Sequence, residues 1–115
     1  MAIRIFHNPR CSKSRATLAL LQEQGLEPEI RLYLEDPPDA AELKSILKKL
    51  GRSPRELIRK GEAEYRELGL SDESLSDEKL IAAMAANPRL IERPIVLAHG
   101  KAAVGRPPES VLDIL

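Results

Sequence analysis

Residues 2–25, AIRIFHNPRCSKSRATLALLQEQG, contain a strand–turn–helix pattern from which the rest of the fold can be inferred. Residues 2–6 alternate in polarity and include two isoleucines, which predicts a short strand. Pro9 disfavours a helical conformation in the residue before it, so a turn follows the strand. Beyond the turn, apolar residues recur at helical spacing until Gly25, which predicts an amphipathic helix. Cys11 therefore stands between the end of a strand and the start of a helix.

The rest of the chain predicts the elements that complete one mixed sheet. Residues 29–34 predict a second strand, and residues 95–99 and 102–104 predict a β-hairpin with its turn at Gly100-Lys101. A last helix follows Pro107-Pro108-Glu109, and four more helices are predicted in between, opening at Asp39, Ser53, Glu62 and Ser76.

The order of these elements is β-α-β, a helical stretch, and then β-β-α. A helix joining two strands predicts a parallel pair with a right-handed crossover. The order predicts an α/β fold with a four-stranded mixed sheet of the thioredoxin/glutaredoxin type. A helical insert of about residues 39–91 separates the two halves of the sheet, and residues 1–115 form a single domain.

Composition excludes several classes of protein. The 115 residues include 18 Lys+Arg and 18 Asp+Glu, and this neutrality argues against a general binder of nucleic acid or membrane surfaces. The N-terminus lacks the apolar stretch of a signal peptide, and no apolar run approaches the ~20 residues of a membrane span. We therefore expect a soluble cytoplasmic protein, monomeric because no surplus apolar face is evident. One cysteine excludes an internal disulfide, and without a CxxC we expect no metal site.

The neutral average conceals a charge separation along the chain. Residues 1–22 and 93–108 contain basic residues and no acidic ones, whereas residues 23–92 contain 11 basic and 16 acidic residues. If the two positive segments meet in space, they form an anion-binding site.

Cys11 is predicted to be reactive. A thiol at a helix start near cations has its pKa lowered from ~8.5 into the range ~3.5–7.5 and becomes a nucleophile. The alternative is a buried, inert cysteine, but this one stands in a polar turn. Ser14 completes a CxxS motif and can donate a hydrogen bond to a thiolate, but a second thiol must come from outside the chain. A phosphatase-type Cys-x5-Arg loop is excluded because residue 17 is Thr17.

Five segments together resemble the glutaredoxin-coupled arsenate reductase family. They are HNPRCSKSR, LYLEDPP, ELIRK, ERPIV and GRPPE, and they occur in order over essentially the whole chain. The pairing of HNPxC with RPIV is far more specific than a lone CxxS. The resemblance implies a thioredoxin plan with a helical insert, and an oxidoreductase that reduces arsenate. It further implies glutathione as co-substrate, glutaredoxin as protein partner and no bound cofactor.

The resemblance also implies roles for individual residues. Cys11 matches the nucleophile, and Pro94 matches a proline, expected to be cis, that lies against it. Planar guanidinium groups suit a tetrahedral oxyanion because each can hold two of its oxygens. The other matching positions are His7 and Ser14, which help to keep the thiolate, Arg59, Arg93 and Arg106, which hold the oxyanion, and Asn8 and Arg15, to which we assign no role.

Two other functions remain open on the sequence alone. The first is a glutathione-dependent thiol oxidoreductase that acts on another substrate. The second is a thioredoxin-fold regulator without enzymatic activity that binds RNA polymerase. Relatives of the second kind usually have CxxC at this site, so Ser14 and the three matching arginines favour an enzyme.

Overall fold

The computed structural model describes residues 3–115, and in it the chain forms two compact units. The terminal unit consists of Met1–Asp36 and Arg93–Leu115, and the helical unit is Pro37–Glu92. The insert predicted at about residues 39–91 covers nearly the same residues as the helical unit. Ala2, the first residue of the predicted strand, lies outside the described residues.

The terminal unit contains one four-stranded mixed sheet, as predicted. Its strands are β1 (Arg4–Phe6), β2 (Glu29–Arg31), β3 (Ile95–Ala98) and β4 (Lys101–Val104), in the order β2-β1-β3-β4. β1 pairs in parallel with β2 and antiparallel with β3, and β4 is antiparallel to β3. The two positive ends of the chain therefore meet, because β1 and β3 are neighbours in the sheet.

Two helices pack on this sheet around a small apolar core. Helix α1 (Ser12–Glu23) follows β1, and a 3₁₀ helix (Pro108–Ile114) ends the chain. The core consists of Ile5, Leu21, Val96 and Val111, one residue from each of β1, α1, β3 and the 3₁₀ helix. The final element was predicted as a helix, but its turns close by i→i+3 bonds such as Ser110 N to Pro107 O at 3.0 Å.

The β-hairpin turns one residue earlier than predicted. His99 and Gly100 both have positive φ, 53° and 74°, and Lys101 already pairs with Ala98 as part of β4. Positive φ at both central residues is typical of the type I′ turn, one of the two-residue hairpin turns whose twist matches that of the strands. The turn is therefore at His99-Gly100, and the prediction of Gly100-Lys101 was wrong.

β2 is shorter than the predicted strand at residues 29–34. The N–H groups of Glu35 and Asp36 both donate to the carbonyl of Leu32, at 3.0 and 2.9 Å, which closes a turn after Arg31. The alternating apolar residues beyond Arg31 therefore lie in a turn and not in the strand.

The helical unit contains four short α-helices, and their starts follow the predicted capping residues. The side chains of Asp39, Ser53 and Ser76 accept hydrogen bonds from N–H groups in the first turns that follow them. The four helices are α2 (Ala40–Leu50), α3 (Pro54–Leu57), α4 (Ala63–Glu67) and α5 (Asp77–Ala86), followed by a 3₁₀ turn (Pro88–Leu90).

No helix in residues 3–115 has the length and apolarity to cross a membrane.

Gly105 lies where α1 approaches the segment after β4. A Cβ on this residue would lie 2.5 Å from Thr17 Oγ1 and 2.8 Å from Pro94 Cγ. We expect Gly105→Ala to lower the free energy of unfolding by about 1–3 kcal/mol, the usual cost of overpacking, in urea titrations. The matched control is Gly61→Ala, because an added Cβ there meets nothing within 4 Å. Equal stability of the two variants would contradict this close packing.

Candidate active site

The loop after β1 places Cys11 at the N-terminal end of α1. The N–H of Cys11 donates to the Asn8 carbonyl at 3.0 Å, and the N–H of Arg15 donates to the Cys11 carbonyl at 3.0 Å, which starts the helix. Cys11 is the N-cap residue, but its side chain makes no capping hydrogen bond. The N–H groups of the first turn therefore remain available to a negative charge on the sulfur.

The pKa of Cys11 lies below the ordinary value of a thiol. Burial of the side chain, which is 8% exposed, raises this pKa. The backbone N–H of Ser14 lowers the pKa and so opposes the effect of burial. A hydrogen bond from Arg93 and its positive charge lower the pKa as well. The backbone N–H of Lys13 adds a smaller contribution, and the net effect lowers the pKa. The predicted activation of Cys11 thus has a physical cause in the structure.

Two arginines from the other end of the chain lie at the sulfur. Nη2 of Arg106 lies 3.9 Å from Cys11 Sγ, and Nε of Arg106 donates to the Arg93 carbonyl at 2.8 Å. The Arg93 side chain hydrogen-bonds Cys11 as well. Arg93 precedes Pro94 and Arg106 precedes Pro107, and both of these peptide bonds are cis. The cis bond at Pro94 confirms the expectation, whereas the one at Pro107 was not predicted.

Ser14 and His7 form a buried pair beside the cysteine. Ser14 Oγ lies 2.6 Å from His7 Nδ1 and accepts the Asn8 N–H at 3.0 Å. Burial lowers the pKa of His7, and the positive charge of Arg15 lowers it further, which favours the neutral imidazole. The Ser14 hydroxyl thus holds the loop, while the backbone N–H of Ser14 lowers the pKa of Cys11.

The two motif residues without an assigned role hold the same loop. Asn8 Oδ1 accepts the Arg10 N–H at 3.0 Å, a local turn of the kind that Asn side chains commonly make. Arg15 Nη1 donates to the Pro9 carbonyl at 3.0 Å. The Asn-Pro pair signals the turn in the sequence, whereas no sequence signal indicates the return of the Arg15 side chain to the loop.

Arg59 belongs to the helical unit, where two carboxylates pair with it. Its Nε lies 3.4 Å from Glu62 and its Nη1 lies 3.3 Å from Glu92. The oxyanion-binding role that the resemblance implies for Arg59 stays a prediction.

Metal chemistry has no candidate ligand set in the described part of the chain. Across residues 3–115, no three His, Cys, Asp or Glu side chains are grouped so that they could hold a metal ion. Residues 7–15, Arg93 and Arg106 instead bring together a cysteine of lowered pKa and two arginine side chains, an arrangement that could support nucleophilic attack on an oxyanion.

Removing the Ser14 hydroxyl separates its effect on the Cys11 pKa from the effect of the backbone N–H of residue 14. We expect Ser14→Ala to lower the free energy of unfolding by about 1–3 kcal/mol, because His7 Nδ1 and the Asn8 N–H lose a buried partner. The pH dependence of Cys11 alkylation should change little, since the N–H of residue 14 remains. A stable variant with a strongly raised Cys11 pKa would show that the hydroxyl itself holds the thiolate.

Comparisons with known proteins agree on one family. The model of the ArsC family matches residues 6–114. Over 114 residues the chain is 62% identical to YfgD of Escherichia coli (strain K12), which is described as uncharacterized, and the match covers 98% of this chain and 96% of that protein. It is 54% identical to an arsenate reductase of Neisseria meningitidis serogroup B, covering 98% and 97%. A solved structure of an arsenate reductase from Vibrio cholerae superimposes with a TM-score of 0.97 at 53% identity, covering 100% and 98% of the two chains.

Proposed function

Because the chain belongs to the ArsC family, we propose that it reduces arsenate to arsenite through a covalent adduct on Cys11, with glutathione and glutaredoxin as electron donors. The observation that carries the proposal is the position of Cys11, whose sulfur is hydrogen-bonded by the Arg93 and Arg106 side chains. Several relatives are named arsenate reductases, which supports an oxidoreductase that acts on an oxyanion.

The arginines serve both binding and chemistry in this mechanism. Arsenate is an anion, and a thiolate would repel it without compensating charge. Arg93 and Arg106 supply two positive charges at the sulfur, so the oxyanion and the thiolate can approach each other. Cations that are fixed before the reaction also stabilise the charge that develops on the arsenate oxygens in the transition state.

The proposed reaction begins with attack by Cys11 Sγ on arsenic. A sulfur–arsenic bond forms, one arsenic–oxygen bond breaks, and the departing oxygen leaves as water after taking up protons. Glutathione then attacks the adduct, and glutaredoxin removes the glutathione. Overall, two thiols lose two electrons and form one disulfide, while arsenic(V) gains those electrons, and arsenite and water are released. Cys11 returns as a free thiol.

The second and third thiols must come from other molecules. Cys11 is the only cysteine of the 115 residues, so the chain itself cannot form a disulfide that would release the product. This feature supports external thiol donors and agrees with the glutathione and glutaredoxin that the resemblance implies.

Steady-state turnover tests the proposal. The purified protein is mixed with arsenate, glutathione, glutaredoxin, glutathione reductase and NADPH, and NADPH oxidation is followed together with arsenite formation. We expect arsenate-dependent turnover that requires both glutathione and glutaredoxin. If arsenate is not reduced but a glutathione mixed disulfide is, the chain is a thiol oxidoreductase with another substrate. Binding to RNA polymerase without either activity would indicate a regulator.

A further inference from the structure

Exposed apolar side chains concentrate next to the cysteine loop. Within residues 3–115, six large apolar side chains are more than a third exposed, and Ile30, Leu32 and Leu34 are three of them. Ile30 lies in β2, and in the turn that follows it Tyr33 is buried while Leu32 and Leu34 on either side are exposed. Apolar side chains that cluster on a surface commonly mark a binding site.

Leu32 and Leu34 form one wall of a groove of about 220 Å³, which we call the β2-loop groove. Glu35 lies on the same wall, and the loop residues 7–10 line the rest of the groove. The loop directly precedes Cys11, so the groove adjoins the proposed reaction site. Its volume is below the ~300–1,000 Å³ typical of sites for drug-sized molecules, so it can hold only part of a small molecule, with the rest left in solvent.

The charges of the β2-loop groove are of opposite sign. Arg10 and Glu35 are both exposed, and each lines the groove. Burial and the Arg15 charge lower the pKa of His7, which favours its uncharged form. The groove therefore presents one cation and one anion with apolar surface from Pro9, Leu32 and Leu34. A ligand complementary to it is a small zwitterion with a carboxylate, an ammonium group and a peptide backbone.

We propose that the β2-loop groove binds the small peptide thiol that reacts with the Cys11 adduct. A carboxylate of the peptide pairs with Arg10, its ammonium group pairs with Glu35, and its methylene and peptide groups lie on Leu32 and Leu34. The inference rests on the proposed function, which requires an external thiol because the chain has one cysteine. Arg93 and Arg106 contact the sulfur from the other end of the chain and are assigned to the oxyanion, whereas the groove adjoins Cys11 through the loop that precedes it.

Binding can be tested without turnover, using S-methylglutathione as a probe that cannot react. We expect amide NMR signals of residues 7–10 and 32–35 to shift on titration. Leu32→Ser should weaken this binding by about threefold to tenfold, because apolar contact area is lost. Leu112→Ser is the matched control, since Leu32 and Leu112 are both 38% exposed and Leu112 lies outside the groove. An absence of shifts, shifts confined to other residues, or equal losses in the two variants would overturn the proposal.

Turnover kinetics then separate the groove from the proposed function and from a protein partner. Leu32→Ser and Glu35→Lys should raise KM for glutathione by about threefold to tenfold and leave KM for arsenate unchanged. A rise in KM for glutaredoxin alone would instead assign the surface to a protein and overturn the small-thiol proposal. If the wild-type protein binds S-methylglutathione in the groove but reduces no arsenate, the proposed substrate is wrong and the thiol site stands.

Discussion

Cys11→Ser is expected to abolish arsenate reduction, with a loss of at least ~10³-fold in kcat. The physical reason is that a serine hydroxyl is not deprotonated at neutral pH, and the N–H groups and Arg93 that stabilise a thiolate cannot supply an equivalent nucleophile. The measurement is arsenite formation under saturating glutathione and glutaredoxin. The variant should also fail to form the covalent arsenic adduct that intact mass spectrometry can detect in the wild-type protein.

The fold of the Cys11→Ser variant should be retained, because the backbone hydrogen bonds of residue 11 do not involve its side chain. Circular dichroism and urea unfolding check this point. A folded Cys11→Ser variant that still reduces arsenate at a rate near that of the wild type would exclude the covalent mechanism.

Arg93→Met is expected to have the second-largest effect, a loss of about 10²–10³-fold in kcat/KM for arsenate. The variant loses a cation at the oxyanion and a hydrogen bond to the thiolate, so the pKa of Cys11 should rise toward its ordinary value. Raising the pH should therefore recover part of kcat by restoring the thiolate, while the weaker arsenate binding persists. Kinetics measured across the pH range separate the two contributions.

Lys101→Met is the matched control for the loss of a positive charge. Lys101 is an exposed cation at the start of β4 in the same unit, so the net charge changes by the same amount. Its kcat/KM should stay within about twofold of the wild type, as expected for a surface charge remote from the reaction. Similar losses in the two variants would mean that overall charge, and not the position of Arg93, attracts the oxyanion.

The sequence predicts the fold well where periodicity and capping chemistry are local. The alternation in β1, the helical spacing after Cys11 and the capping side chains of Asp39, Ser53 and Ser76 each depend on a few neighbouring residues. The meeting of the positive ends was a conditional expectation, and the antiparallel pairing of β1 with β3 in the structure brings these ends together.

Features that depend on backbone conformation and hydrogen bonding were not predicted, or were predicted at the wrong residues. The hairpin turn lies at His99-Gly100 because His99 adopts a positive φ, which non-glycine residues do infrequently. The end of β2 depends on two hydrogen bonds to Leu32, and alternation of apolar residues does not reveal them. The β2-loop groove follows from that turn and was likewise absent from the sequence-based prediction.

The sequence predicts which residues form the candidate site better than it predicts how they contact one another. The spacing CxxS indicates that Ser14 lies near the sulfur, but it does not show that the backbone N–H of Ser14 lowers the Cys11 pKa while the hydroxyl bonds His7. Arg59 was singled out through the family resemblance alone, and its helical-unit contacts with Glu62 and Glu92 leave that role to be tested.

The proposed mechanism requires that Cys11 is a thiolate at an oxyanion site. Alkylation by iodoacetamide over pH 5–9, with and without arsenate, tests it directly because the chain has only one cysteine to react. We expect a half-maximal rate at a pH below ~8.5, the ordinary pKa of a thiol, and protection by arsenate. A midpoint at or above that value together with no protection by arsenate would contradict it.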